Sequence, residues 1–340
     1  MNLKKIITQI HYDKEAKSLL LPLLDVFSFF YSKITALRNF LYDKDILHSY
    51  KVNAYVISVG NLTTGGVGKT PLVAEIAKYL LTQDKKVAII SRGYGGKLSN
   101  KVVNLISNGT EIFHTAEEAG DEPYWFAENL RGISVLTCSD RVKAANYAIE
   151  KLGVNVIILD DGFQHRKIQR DLNLVLVDSE KLFGNRKHLP AGPLREDFTG
   201  LRRADKLVIM NKTPEKIGTS ILTNIFETFD EDKTFVCNVT PGYTYNIKTT
   251  EVLPLKTDVT AICAIGQPEQ FFAFVKQKFN LIREISYEDH HSYKYEEIAK
   301  LSGKIVTTEK DAVKMQKFER NNIYALKLKL DIDIERLLNG

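Results

Sequence analysis

The segment Val59–Pro71, VGNLTTGGVGKTP, constrains this chain more than any other stretch. It follows an apolar β-branched run, AYVISVG, and leads into a helical pattern, the strand–loop–helix setting in which a glycine-rich loop becomes a phosphate site. Gly65, Gly66 and Gly68 permit a tight turn whose N–H groups can surround phosphate oxygens. The helix start that follows adds partial positive charge. In that setting Thr63, Thr64 and Val67 complete the loop, Lys69 reaches the β- and γ-phosphates, and Thr70 offers its hydroxyl to magnesium. One departure stands out: the common spacing, GxxxxGK followed by Ser or Thr, has glycine where this chain has Thr63.

Six short apolar runs punctuate the residues around and after that loop: AYVISVG, KVAIIS, GISVLT, NVIILDD, LNLVLVD and DKLVIM. Most are apolar on both faces, as parallel strands covered by helices are. Helical patterns lie between them, at Pro71–Leu81, Glu122–Leu130 and Asp140–Leu152. This alternation predicts an α/β fold, a doubly wound and mostly parallel sheet of the P-loop kind. The rhythm falters near Pro214–Asp232, and TFVCNVTPGYTYNI, VTAICAIG, LIREISY, GKIVTT and NIYALKL follow. The expected division is therefore an N-terminal segment (1–50), a P-loop core (51–232) and a smaller C-terminal α/β domain (233–340). An apolar share of 44% with 26% charged residues excludes disorder. The net charge of +5 is too mild to indicate a nucleic-acid tract, but it suits an anionic substrate or membrane surface. Cys138, Cys237 and Cys263 lie apart in apolar runs and read as buried thiols in a reducing compartment.

No cleavable signal pattern is visible at the start of the chain. Residues 19–31, LLLPLLDVFSFFY, are too short and too interrupted to span a bilayer, which takes about 20 apolar residues. Continued through Ile34, Leu37, Phe40 and Leu41, with Lys33 and Arg38 between, the run becomes an amphipathic helix. It reads either as a helix packed on the protein's own core or as one lying in a membrane interface.

Three further clusters carry chemistry. NVIILDDGFQHR ends an apolar strand in Asp160 and Asp161, where P-loop enzymes hold magnesium; Gln164 and His165 follow in the loop and can face the same crevice. In AGDEP, Asp121 reads as a helix cap or as the carboxylate that takes a proton from an acceptor hydroxyl. In YEDHHSY two adjacent histidines lack the spaced partners of a zinc site.

Taken in order, VGNLTTGGVGKTP, SRGYGG, GDEP, DDGFQHRKIQRD, LPAGPLRE, EDHHSY and TTEKDAVK resemble the tetraacyldisaccharide 4'-kinase family, the lipid A kinases of Gram-negative bacteria. The resemblance spans roughly residues 50–315, and the family's phosphate loop is irregular like the one here at Thr63. It implies transfer of the ATP γ-phosphate, with Mg2+, to the 4'-hydroxyl of a tetraacylated glucosamine disaccharide 1-phosphate. It also implies peripheral attachment to the cytoplasmic face of the inner membrane, with no nucleic acid and no obligate protein partner. By the same resemblance Asp121 is the base, assisted by His290, with His291 as second choice. Thr70, Glu122, Asp160 and Asp161 become metal contacts, and Arg195 and Glu196 fall on the nucleotide or substrate side of the cleft. Small departures, Glu288 before Asp289 and Arg186-Lys187 before Leu189, sit beside these positions. Two rival readings are a P-loop ATPase serving assembly or metal insertion, and a GTPase suggested by Asn211-Lys212. The acidic residue a guanine site needs two positions later is Pro214 instead.

Overall fold

The computed structural model describes residues 3–13, 19–213, 217–226, 229–289 and 291–339. Two helices, α1 (Leu3–Tyr12) and α2 (Leu21–Asp43), precede the first strand, β1 (Tyr55–Asn61). The chain then alternates α3 (Lys69–Thr82), β2 (Val87–Ser91), β3 (Asn104–Ser107), α4 (Ala116–Ala119), α5 (Asp121–Asn129), β4 (Ser134–Thr137) and α6 (Arg141–Leu152). Next come β5 (Val156–Asp160), β6 (Leu172–Asp178), β7 (Lys206–Asn211) and α7 (Thr219–Phe226). The remainder is β8 (Thr234–Asn246), β9 (Asp258–Cys263), α8 (Pro268–Lys278), β10 (Asn280–Ser286), α9 (Tyr295–Ala299), β11 (Lys304–Thr308), α10 (Glu309–Met315), β12 (Ile323–Asp331) and α11 (Ile334–Asn339).

All six apolar runs of the first half become strands, β1, β2, β4, β5, β6 and β7; the short edge strand β3 was not foreseen. Among the described residues the strands form one twelve-stranded sheet, in the order β10-β9-β11-β12-β8-β7-β6-β1-β5-β2-β4-β3. From β4 to β8 every neighbour is parallel, and so is every neighbour from β12 to β10. The two parallel runs meet at the antiparallel β8/β12 pair, and β3 is antiparallel at the far edge.

The two-residue period of the strands sorts their side chains between helical layers. On one face Ile57, Val59, Ile89 and Ile158 pack with Leu72, Val73 and Ile76 of α3. On the other, Val56, Ile90, Ile157 and Leu159 pack with Ala144, Ala145 and Ala148 of α6. Each such aliphatic side chain contributes about 1.5–3 kcal/mol when fully buried. That is why continuous apolar runs, rather than alternating ones, mark the central strands. The three cysteines are buried and unpaired, as their apolar settings implied.

Helix α2 inverts the usual arrangement. Its buried residues are Ser28 and Thr35, while Phe27, Phe29, Phe30 and Ile34 are 54%, 57%, 59% and 67% exposed. Polar contacts hold the inner face: Ser28 Oγ donates to the His188 carbonyl at 2.7 Å and Tyr31 Oη to the Arg195 carbonyl at 3.0 Å. No helix among the described residues is long and apolar enough to cross a membrane.

Candidate active site

Strand β1 delivers the chain to the glycine-rich loop, and α3 opens directly from it. Gly68 sits at φ 99° as the residue before the helix, and Gly65 at φ 114°, conformations that strain any side-chain-bearing residue. A Cβ on Gly68 would also approach the Met210 side chain to 3.0 Å. The N–H groups of Gly68, Lys69 and Thr70 belong to the helix start, where the first four donors lack partners within the helix. Val67 is buried, and Gly66 is exposed at the loop tip. Thr63 lies buried beneath the loop and bridges Leu194, and the Thr64 N–H donates to the Pro193 carbonyl at 2.8 Å.

Lys69 is braced on two sides. Its ammonium donates to Asn61 Oδ1 at 3.0 Å and lies 3.3 Å from Asp161. Asp161 occupies φ 52° just past β5 and takes both bonds from Arg195 Nη1, at 2.9 and 2.8 Å. Burial draws the Asp161 carboxyl upward, but Lys69 and Arg195 outweigh it and leave the group well below the usual carboxylate range. Gln164 donates to the Asn61 carbonyl and to Glu196, each at 3.0 Å. Glu196, wholly buried, is satisfied further by Arg203 at 2.6 Å and Asn39 at 2.8 Å. A single polar chain thus runs from Lys69 through Asp161, Arg195, Gln164 and Glu196 to α2. His165 stands apart from this chain, with a buried Nε2 that meets no partner among the described residues.

Asp160 behaves in the opposite way to its neighbour. Burial first, then the Glu122 and Asp161 carboxylates, raise its pKa to about 7, although Lys69 and Arg141 oppose the shift. A buried carboxyl crowded by two others and held toward its neutral form is a natural seat for a cation. Among the described residues no group of three or more His, Cys, Asp or Glu side chains is arranged to hold a metal. An oxygen donor of this kind suits magnesium, which takes few protein ligands and completes its shell with phosphate and water.

Asp121 is not the cap of α5. Gly120, at φ 92°, occupies that position without a side-chain bond, because a Cβ there would lie 2.7 Å from the Tyr94 carbonyl. The Asp121 carboxylate instead meets Lys314 at 2.9 Å, and Glu122 meets Lys310 at 3.3 Å. These lysines lie one turn apart on α10, so the C-terminal part of the chain supplies cations to the same two acidic residues. Burial pulls Lys310 down, but Glu122, Asp289 and Asp121 together raise it. Lys314 also donates to the His291 carbonyl at 3.2 Å, which ties the DHH loop to the site. The His291 ring itself stacks on Tyr287 and pairs with Glu297 at 3.1 Å. His290 lies outside the described residues.

Asn61, Asn39, Lys310 and Lys314 joined the site without being singled out in the sequence. The lysines were legible in principle, as an i, i+4 pair within TTEKDAVK; the asparagines offered no signal.

A glycine loop between β1 and α3, a lysine braced by Asn61 and Asp161, and carboxylates at the end of β5 define a P-loop nucleotide-dependent phosphotransferase. A family profile, Tetraacyldisaccharide-1-P 4'-kinase, matches residues 20–339. Among curated proteins, the tetraacyldisaccharide 4'-kinase of Desulfotalea psychrophila is 41% identical over 85% of this chain and 86% of its own. That of Syntrophus aciditrophicus is 37% identical, with 92% and 89% covered. A crystal structure of LpxK from Aquifex aeolicus in complex with ATP superposes with a TM-score of 0.75 at 37% identity, covering 94% of this chain and 96% of that one. The chain belongs to the tetraacyldisaccharide 4'-kinase family.

Proposed function

We propose that this chain phosphorylates the 4'-hydroxyl of a tetraacylated glucosamine disaccharide 1-phosphate with ATP, at a membrane surface. The observation that carries the reading is convergence: Lys69, the Asp160-Asp161 pair and the Asp121-Glu122 pair are linked by direct contacts or electrostatic coupling around one phosphate loop. In this reading Lys69 and the loop N–H groups stabilise negative charge on the transferring phosphoryl group. Asp121 accepts the proton of the attacking hydroxyl, and His290 orients it. Thr70, Asp160 and Glu122 would hold magnesium, with Asp161 fixing Lys69 beside them. The cation supplies charge neutralisation between the phosphates. Arg195 and Gln164 line the acceptor or nucleotide side, Glu196 is buried behind them and braces them, and His165 stands apart.

Docking to a membrane surface is supported by the outward phenylalanines of α2, and in this reading, which takes the cytoplasmic face of the inner membrane from the family's lipid acceptor, the acyl chains stay in lipid. For the division into an N-terminal segment 1–50, a core 51–232 and a smaller unit 233–340, the antiparallel β8/β12 pair supports two parts but not the boundary at 233, because β8 continues the parallel run of β7 and the change of run falls after Asn246. The test is direct: incubation with ATP, Mg2+ and the disaccharide 1-phosphate, followed by mass spectrometry for one added phosphate at the 4' position. ADP release that proceeds equally without the lipid acceptor would favour a plain ATPase instead.

A further inference from the structure

A phosphate loop works only if its N–H groups point inward, and a planar trans peptide then forces the carbonyls of the same units outward. A side-chain donor on an outward carbonyl fixes that peptide's orientation when no anion is bound, which water alone does not. Two side chains from distant parts of the chain meet this need. Tyr12 Oη, at the C-terminal end of α1, donates to the Thr64 carbonyl at 2.8 Å. Lys212 Nζ, just past β7, donates to the Gly66 carbonyl at 2.8 Å.

Both donors are held firmly. Asn185 bonds the Ile10 carbonyl at 2.9 Å and the His11 carbonyl at 2.8 Å, and the Lys181 ammonium lies 4.9 Å from the centre of the Tyr12 ring. Lys212 is paired with the buried Asp178 at 2.9 Å and reaches Gln267 at 3.4 Å. Burial and Asp178 raise the Tyr12 phenol to about 12, against the pull of Arg195, so it remains a donor at any working pH. Helix α1 lies before residue 20, where the family match begins.

We propose that Tyr12 and Lys212 are positioning residues of the phosphate loop: Tyr12 fixes the Thr64 carbonyl outward so that the Gly65 N–H faces the nucleotide, and Lys212 holds the Gly66–Val67 peptide unit, whose N–H donates to the Gly65 carbonyl at 3.2 Å and closes the turn. The N-terminal helix is then part of the ATP site. The inference rests on the ATP reading given above, and the two are separable: wild-type protein that fails to bind ATP removes that reading, whereas the inference concerns only differences between variants that follow.

The experiment uses the full chain and measures ATP affinity by calorimetry, with kcat and KM for both substrates. Tyr12→Phe keeps the ring and deletes one hydroxyl. It should weaken ATP binding and raise KM for ATP about 3- to 10-fold, the range of one hydrogen bond, while the acceptor KM and thermal midpoint stay unchanged. Lys212→Met should weaken ATP binding as much or more, with a lowered midpoint because the buried Asp178 carboxylate loses its partner, and Lys212→Arg, which keeps a donor and the charge, should recover part of both losses. Unchanged ATP affinity in Tyr12→Phe overturns the role of α1, and unchanged affinity in Lys212→Met overturns that of Lys212. Equal weakening of ATP and acceptor together with a lowered midpoint overturns the proposal as a whole, because it signals general loosening.

Discussion

Lys69 is held ready before any nucleotide arrives. Asn61 and Asp161 fix its ammonium, so little ordering remains to be done when phosphate binds. Lys69→Ala should cost on the order of 10²-fold or more in kcat/KM, several kcal/mol of transition-state stabilisation. A folded variant with near wild-type turnover would count against the loop assignment. His165 offers a different test. Burial first, then Arg141, with Arg170 and Lys167 adding to it against Asp140, lower its pKa to about 4. The unfolded chain binds that proton near pH 6.5, so the His165 contribution to stability is complete above pH 6.5 and is lost as pH falls toward 4. Asp160, with its raised pKa, works against this slope over the same range. The readout is therefore a difference: relative to wild type, His165→Asn should gain up to about 3 kcal/mol between pH 6.5 and 4. Parallel stability curves for the two proteins would rule that out.

Among the elements, α2 shows most clearly where sequence stops. Its pattern suited a core helix and an interfacial helix equally, since both need one apolar stripe. The fold turns Ser28 and Thr35 inward and the phenylalanines outward, because the loop around His188 and Arg195 offers backbone carbonyls rather than an apolar surface. Wild type should sediment with anionic vesicles, and Phe27→Ser/Phe29→Ser/Phe30→Ser should stay in the supernatant. Equal partitioning of both would remove α2 from the docking surface. Strands were easier to read. The six runs of the first half became β1, β2, β4, β5, β6 and β7 because burial on both faces leaves an unbroken apolar signature; β3, an edge strand of four residues, left none.

At the scale of the molecule, the site draws on both halves of the chain. Lys310 and Lys314 of α10 reach across to Glu122 and Asp121 of α5. Lys314 is 9% exposed and its partner 17%, so their contact at 2.9 Å is poorly screened. In a double-mutant cycle, Asp121→Ala and Lys314→Met should each lower kcat, with a coupling of about 0.5–3 kcal/mol and ATP affinity kept. Simple additivity would show that the pair does not act as a unit. The sequence by itself determined the local parts: a phosphate loop from its glycines and lysine, parallel strands from their apolar runs, carboxylates at a strand end. Each rests on interactions within a few residues, which periodicity and spacing record. The tertiary structure alone decided the outward face of α2, the pairing of Asp121 with Lys314, and the grip of Tyr12 and Lys212 on the loop. Those contacts join residues 52 to 193 positions apart, and a contact of that range leaves no period in the sequence.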